Sequence, residues 1–530
     1  MGQVQFYGKE SRSQILKGVK KVNDAVKVTL GAKGKCVVIS NLLEPHYNGN
    51  RLPLKVTKDG VTVAKAIRLF EPNEVIGQLA IQEASERTWE EVGDATTTTC
   101  VLMTSILENG IAEIEKGANS QDLKKGIDLA VNNVIESLRL SSIPIGNDIK
   151  KIVQIATISA NNDEFIGNLI GEAVEKIGKD GSIEIDESQS NKTFIKIADG
   201  FKFSSGWLSH YFVTNGKNEA ELINPNIVLY DGHLSTLKQI RSILEYTDKT
   251  KKPLLLVCED CDMEALSAMI VNKIKNIIKV CVVKCPYRGD LKAEFMDDLA
   301  IATGATYISQ AKGIKIESIQ EKHYGSANKV VVTKDITTIV EGKKDDLFFN
   351  EYISGLKSRI SEEEDLDEKY RLEKRTASLT GGVAVIYVGG NTETEMKEKI
   401  DRVDDAIRST KAAISEGYVV GGGSFFAKQA IDYPKKDDIQ KGYSLLLKSL
   451  IAPLKQILEN SGAKNANQIV SQVCESGSTI GYNAKTEKIE DLEDSGVIDA
   501  AKVLRCSLQN AASAAGNLLI SECAIADTTN

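Results

Sequence analysis

"GDATTTTC", residues Gly93 to Cys100, sets one acid ahead of four consecutive threonines, and an apolar run, "VLMTSIL", follows it. Threonine is a poor helix-interior residue because its branched Cβ loses χ1 freedom. Four of them where an apolar helix begins need a reason beyond propensity. A helix N-terminus presents unpaired N–H groups at the positive end of the macrodipole, which attracts anions. Threonine hydroxyls donate to phosphate oxygens, and a nearby carboxylate holds Mg2+. Asp94 and Thr96 to Thr99 therefore suit a nucleotide phosphate. The competing reading is an N-cap with threonines bonded to local backbone.

Three glycine-bearing stretches favour the first reading. "TLGAKG" (Thr29 to Gly34) is a helix C-terminal turn where backbone can approach a ligand. "TKDG" (Thr57 to Gly60) supplies a lysine, an acid and a turn glycine, and "VGGGS" (Val420 to Ser424) opens a helix with three glycines. No GxxxxGK[ST] sequence is present, which argues against a P-loop enzyme.

Outward from this stretch, residues 10 to 32 read as an amphipathic helix, "CVVIS" as a strand, and 73 to 117 as helix interrupted at the threonines. "SQDLKKGIDLAVNNVIESLRLSS" reads as a helix with Ser120 as its N-cap and Pro144 beyond its end. From Gly181 to Gly232 the pattern turns to strands, "SIEIDE", "FIKIADGFKF" and "NIVLYDG". From 234 to 310, helical patterns alternate with the apolar runs "PLLLVCED", "IIKVCVVKC" and "ATYIS", the signature of a parallel α/β sheet. The charged stretch "SEEEDLDEKYRLEKRTASL" reads as a solvated helix with i,i+4 ion pairs, "GGVAVIYVGG" as a buried strand, and the remainder as mostly helix. This helical, mixed, helical order suggests a middle region inserted into a helical domain built from both ends.

Composition narrows the function classes. The 530 residues are 42% hydrophobic and 26% charged, with a net charge of −8, and no Lys/Arg block marks a nucleic-acid face. No apolar run reaches the roughly 18 residues of a membrane span, and "MGQVQFYGKESRSQ" has no signal-peptide core, so a cytoplasmic location is expected. The nine cysteines are scattered, as in a reducing compartment. Cys258, Cys261, Cys281 and Cys285 have loosely zinc-like spacing. However, a strand through "KVCVVKC" would hold Cys281 and Cys285 about 13 Å apart.

Several long motifs now stand in one order: "DAVKVTLGAKGKCVVIS", "VTKDGVTVAKAI", "GDATTTT", "TISANNDE", "GGVAVIYVGG", "RVDDAIRSTKAAISEG" with "VVGGGS", and "GYNAKTEKIEDLEDSGVIDAAKVLRCSLQNAAS". Over essentially the whole chain this resembles the group I chaperonins of the bacterial and mitochondrial type. The resemblance implies a multidomain α and α/β fold. A helical equatorial ATPase domain would comprise 1–140 and 416–530, a small intermediate domain 141–198 and 384–415, and an α/β apical domain 199–383. Hinges would lie near Pro144 and Gly417, and near Gly200, Gly381 and Gly382.

The resemblance also implies ATP, Mg2+ and K+ as cofactors. Thr29, Leu30 and Gly31 would contact the nucleotide, and Lys58, Asp59 and Gly60 would lie by the phosphates. Asp94 would hold Mg2+, with Ala95 beside it, and Thr96, Thr97 and Thr98 would bind phosphate. Gly422, Asn483, Ala484 and Asp499 would line base and ribose; Asp405 and Asp59 would be catalytic, Asp405 by positioning the attacking water and Asp59 from beside the phosphates. Unfolded protein clients would bind at Trp207, Tyr211, Phe212, Leu244, Leu266, Ile270 and Val271. Independently of the resemblance, the apolar residues of 263–278 span an arc of roughly 200° on a helix, more than one-sided packing needs, so the excess is either buried on two sides, which the residues alone favour, or exposed for binding, which the resemblance favours. The expected assembly is a homo-oligomer of one or two seven-fold rings, with a GroES-type co-chaperonin as a possible partner and neither nucleic acid nor membrane involved.

Departures from the family pattern carry their own expectations. Ala32 and Ala95 stand where proline and glycine are usual, and Ala95 excludes a glycine-only conformation, so the phosphate loop is expected to sit differently. Arg241 replaces an apolar client-binding residue, the loop from His46 to Leu52 is longer than usual, and the chain ends "AIADTTN" without a glycine–methionine tail. Lys455 and Lys464 occupy matched ring–ring positions where the family pairs a base with an acid, so ring stacking is expected to weaken. The rival function is an ATP-independent holdase or ring scaffold. The presence of Asp59, Asp94 and Asp405 argues against it.

Overall fold

Recurrence every three or four residues makes the first part of the chain helical. The computed structural model describes all residues except 1, 41–54, 147, 179–181, 189, 217, 310, 364, 431–432 and 529–530. The loop at His46–Leu52 therefore falls outside the described residues. Strand β1 (Gly2–Tyr7) leads into α1 (Gly8–Val26), which buries Ile15, Val19, Val22 and Val26 on one stripe. β2 (Val37–Ile39) and β3 (Lys55–Thr57) pair antiparallel, and α2 (Gly60–Ala66), α3 (Pro72–Val92), α4 (Thr96–Glu115), α5 (Ser120–Ser141), α6 (Ile149–Ser159) and α7 (Glu164–Ile177) follow. The cap of α5 is Asn119, not Ser120: the Asn119 side chain accepts from the N–H groups of Gln121 and Asp122.

The middle of the chain carries β4 (Ser182–Glu187), β5 (Phe194–Phe203), β6 (Ala220–Ile223), β7 (Asn226–Leu234), α8 (Leu237–Thr250), β8 (Leu254–Cys261), α9 (Met263–Ile274) and β9 (Val280–Lys284). It continues through α10 (Asp290–Thr303), β10 (Tyr307–Ile308), β11 (Gly325–Val332), β12 (Thr337–Gly342), α11 (Asp346–Glu362), α12 (Leu366–Thr380) and β13 (Gly382–Val388). The sheet order is β4-β13-β5-β12-β11-β7-β8-β9, with β6 on β11 and β10 on β7. As the apolar runs implied, β7–β8, β8–β9 and β10–β7 pair in parallel.

The C-terminal part holds α13 (Glu393–Glu416), β14 (Tyr418–Val420), α14 (Ser424–Lys428), α15 (Asp438–Ser449), α16 (Ala452–Ser461), α17 (Ala466–Glu475), β15 (Ile480–Asn483), β16 (Lys488–Asp491), β17 (Ile498–Ala500), α18 (Ala501–Ile520) and β18 (Cys523–Thr528). β18 pairs antiparallel with β1, joining the two ends of the chain.

Two compact units result. The first is Met1–Glu175 with Ile185–Phe194 and Tyr387–Asn530, and the second is Lys176–Glu184 with Ile195–Ile386. The first is the helical domain of both ends, its core formed by α4 against α18, α1 and α15, with α5 packed on α15 and α18. The second is the inserted α/β region, its core in β7, β8 and β9. The segments 141–198 and 384–415, expected as an intermediate domain, fall mostly within the first unit.

Two sequence readings change. The charged stretch near 345–379 forms two helices and is not merely solvated. Leu372 and Leu379 are buried, and Arg375 pairs with Asp298 (2.7 Å) and Glu294 (2.9 Å) of α10. The helix expected over 263–278 stops at Ile274, because Asn276 takes a left-handed φ of 53° and turns the chain. Cys258 and Cys281 are fully buried in the sheet, and burial holds their thiol pKa values well above the ordinary range.

Candidate functional site

Helix α4 begins at Thr96, so the threonines do open a helix. Ala95, its N-cap residue, adopts φ 57° and ψ 22°, and Gly93 before it has φ 73°. This is the left-handed helical region, which alanine rarely adopts but which is not restricted to glycine. The residue accepts it, at a cost of about 1 kcal/mol that the surrounding packing overcomes. Thr99 turns away from the helix end, its hydroxyl meeting Thr88 Oγ1 at 3.0 Å and donating to the Ala95 carbonyl at 3.1 Å. It is not part of the site, whereas Thr96, Thr97 and Thr98 are.

Three other segments converge on this helix end. Thr29 Oγ1 lies 3.0 Å from Thr97 Oγ1 and donates to the Val26 carbonyl, which fixes the turn after α1. Asp59 caps α2, accepting from the N–H groups of Val61 (3.2 Å) and Thr62 (3.0 Å). Gly60 sits so close that a Cβ there would lie 2.3 Å from Thr97 Oγ1. Gly421 is equally constrained, because a Cβ would come within 2.8 Å of Asp499 Oδ1. Asn483 is held by donating to Glu490 Oε1 (2.7 Å) and accepting from the Lys485 N–H (2.9 Å).

The result is one cavity of about 210 Å³ in the first unit. Thr29, Leu30, Gly31, Lys58, Asp59, Gly60, Asp94, Ala95, Thr96, Thr97, Thr98, Asp405, Gly422, Asn483, Ala484 and Asp499 all line it. Ala32 does too, and Ile155, Phe426, Ile457 and Tyr482 give it apolar walls.

Its electrostatics are acidic. Burial first, then the charges of Asp59 and Asp94, holds the Asp405 carboxyl well above its ordinary pKa. Burial, then Asp94, pushes Asp499 up to about 7, while the Gly422 N–H donating to it acts in the opposite direction. Carboxylates gathered in one buried site suit a cation. Among the described residues no three His, Cys, Asp or Glu side chains are placed to hold a metal alone. Mg2+ takes one or two carboxylates and fills its octahedron with phosphate and water oxygens, and Asp94 is the carboxylate placed to supply one. Hydroxyls, a helix N-terminus and a lysine beside the acids complete a donor set fitted to a metal-bound phosphate.

The sequence reading gave no role to two neighbours of Asp94. Ser159 Oγ of α6 and Ser409 Oγ of α13 both donate to Asp94 Oδ2, at 2.6 and 2.8 Å. The available signal was helical spacing: Ser409 lies four residues after Asp405, on the same face.

The expected hinge positions fall in pairs. Ile143, next to Pro144, bridges Tyr418, next to Gly417. Gly200 of β5 faces Val383 of β13, which lies next to Gly381 and Gly382.

In the second unit the expected client-binding residues separate. Phe212 is 0% exposed and Leu266 is buried, so Phe212 is corrected to a core residue of the sheet. Trp207, Leu244 and Ile270 pack partly against the core, while Tyr211 (62% exposed) and Val271 (47%) are open. Met263, Ile274 and Ile277 extend this exposed apolar surface. Arg241 on α8 is exposed and pairs with Glu245 at 2.8 Å.

Residues 22–529 match the TCP-1/cpn60 chaperonin family. Among solved structures, the chaperonin gp146 from the bacteriophage EL 2 (Pseudomonas aeruginosa), crystallised in presence of ATP-BeFx, is similar over 98% of each chain, with a TM-score of 0.66 and 21% identity. At that identity the likeness concerns the fold.

Proposed function

The chain belongs to the TCP-1/cpn60 chaperonin family, and from that premise we propose that it is an ATP-driven folding machine. One observation carries this reading: residues from widely separated segments meet in a single acidic, hydroxyl-lined cavity. Asp94 would hold Mg2+, which when bound neutralises charge on the phosphates. Thr96, Thr97 and Thr98 would donate to phosphate oxygens at the start of α4, and Lys58 would add positive charge. Leu30, Ile457 and Tyr482 would shield the base, with Asn483 and Asp499 towards the ribose.

Asp405 would orient the attacking water. Its raised pKa comes from burial and from facing Asp59 and Asp94. In its ionised form Asp405 would accept a hydrogen bond from the attacking water and hold it towards the phosphate. Clients would meet the apolar surface of Tyr211, Met263, Val271 and Ile274. Seven-fold rings, K+ dependence and a cytoplasmic location belong to the same proposal.

Phosphate release by the wild type and by Asp405→Ala tests it. The variant is expected to lose roughly 10²- to 10⁴-fold in kcat while still binding a fluorescent ADP analogue. Equal, negligible rates for both proteins would leave the ATP-independent holdase reading.

A further inference from the structure

The helix that carries Asp405 is fastened to the phosphate loop by side chains with no role in the mechanism above. Asp94 Oδ2 accepts two hydroxyl donors, Ser159 at 2.6 Å and Ser409 at 2.8 Å. Among the described residues, Asp94 Oδ1 accepts only the adjacent Ala95 N–H, at 2.5 Å. A carboxylate oxygen offers about two lone-pair sites, so Oδ2 is saturated and Oδ1 keeps one free. One residue before Ser409, Arg408 lays its stem over Gly93, where a Cβ would lie 2.0 Å from Arg408 Cδ. Its guanidinium stands over the Trp89 ring at 4.8 Å and pairs with Asp404 at 3.2 Å. Consecutive residues of α13 thus grip consecutive residues of the loop, Arg408 on Gly93 and Ser409 on Asp94.

We propose that Ser409 is a positioning residue that fixes Asp94 relative to Asp405 and leaves Oδ1 as the oxygen that meets the cation, with Ser159 holding the same oxygen, Oδ2, from the opposite helix. The inference rests on the ATPase reading. Charge-assisted O–H···O⁻ bonds are short and directional. Two of them on one oxygen orient the carboxylate, as outer partners orient metal ligands generally. Arg408 sets the height of α13 over the loop, and Ser409 sets the rotation of the carboxylate.

The test uses the full chain with Trp207→Phe, which leaves Trp89 as the single tryptophan and a reporter of α13 docking. Ser409→Ala and Ser409→Thr are made in that background. Fluorescent-ADP binding is titrated with Mg2+, acrylamide quenching of Trp89 is read without nucleotide, and kcat and KM are measured. Ser409→Ala is expected to raise the Mg2+ midpoint and lower kcat by about tenfold, with little change in KM, and to raise Trp89 quenching. Ser409→Thr, which keeps the hydroxyl, is expected to restore all three. Normal ADP binding with an unchanged Mg2+ midpoint in Ser409→Ala overturns this proposal alone. Absence of nucleotide binding by the parent protein overturns the ATPase reading and this proposal together. Should Ser409→Ala not fold, Ser159→Ala removes the other donor and is judged by the same readings.

Discussion

Asp499 shows how a single residue ties the site to stability. Burial, with the Asp94 charge behind it, brings its pKa to about 7, above the ordinary carboxylate value near 3.9. The folded chain therefore binds this proton more tightly than the unfolded chain does. The stability attached to it is fully present below about pH 4 and is lost as pH rises through 7. The loss at pH 8 is on the order of 4 kcal/mol. Asp499→Asn keeps an oxygen for the Gly422 N–H and never carries the charge. It is expected to melt above the wild type at pH 8, with the gap narrowing towards pH 5, as read by thermal unfolding without nucleotide. An equal gap at both pH values would assign the difference to packing instead. Asp405 has the same sign of shift for the same first cause, and it adds to the loss over the same rising-pH direction.

At the scale of elements, the joint between α2 and α4 depends on a missing side chain. Gly60→Ala would set a methyl 2.3 Å from Thr97 Oγ1 and 2.7 Å from Thr96 Oγ1. The helices would have to part, and nucleotide affinity measured by fluorescent ADP is expected to fall at least tenfold while the rest of the fold persists. In the α/β unit, Phe212 and Tyr211 are neighbours with opposite consequences. Phe212→Ala is expected to cost about 3 to 5 kcal/mol of stability, seen as a lowered Tm. Tyr211→Ser and Val271→Ser should leave Tm near the wild-type value and weaken capture of a denatured model client. The elements themselves were legible because their signals are local: parallel strands read as continuous apolar runs, and α4 announced itself by its threonines. Helix ends were harder. Asn119 and Ser120 are both capping residues, and only the hydrogen bonds to Gln121 and Asp122 choose between them. The end of α9 at Ile274 had a signal, Asn276, which tolerates left-handed backbone, but the apolar period running on to Ile278 outweighed it. The lining of the cavity followed from whole motifs, whereas the Ser409–Asp94 contact joins positions far apart in sequence, and its one local trace is the spacing of Ser409 four residues after Asp405. Ala95 takes left-handed backbone that no local propensity announces, because the flanking loop and helix impose it.

For the whole molecule, charge gives the stacking of rings a sign. Lys455 and Lys464 are both exposed on the first unit, at positions where the family resemblance implies ring–ring contact. Two like charges at such a contact repel, by about 1 kcal/mol at 4 Å in water and more where water is excluded. Lys464→Glu is expected to raise the fraction of fourteen-subunit particles over seven-subunit ones, read by native mass. Repulsion between whole rings complicates that comparison, because each chain carries −8 overall and salt screens every such term. The salt slope separates the two. In the wild type, both the lysine contact and the overall charge are repulsive, so raising salt should favour stacking. In Lys464→Glu the contact becomes attractive and is weakened by the same salt, while the overall repulsion still is too. Its slope should therefore be shallower than the wild type's, or reversed. Equal slopes would place these lysines outside any ring contact, whichever particle predominates.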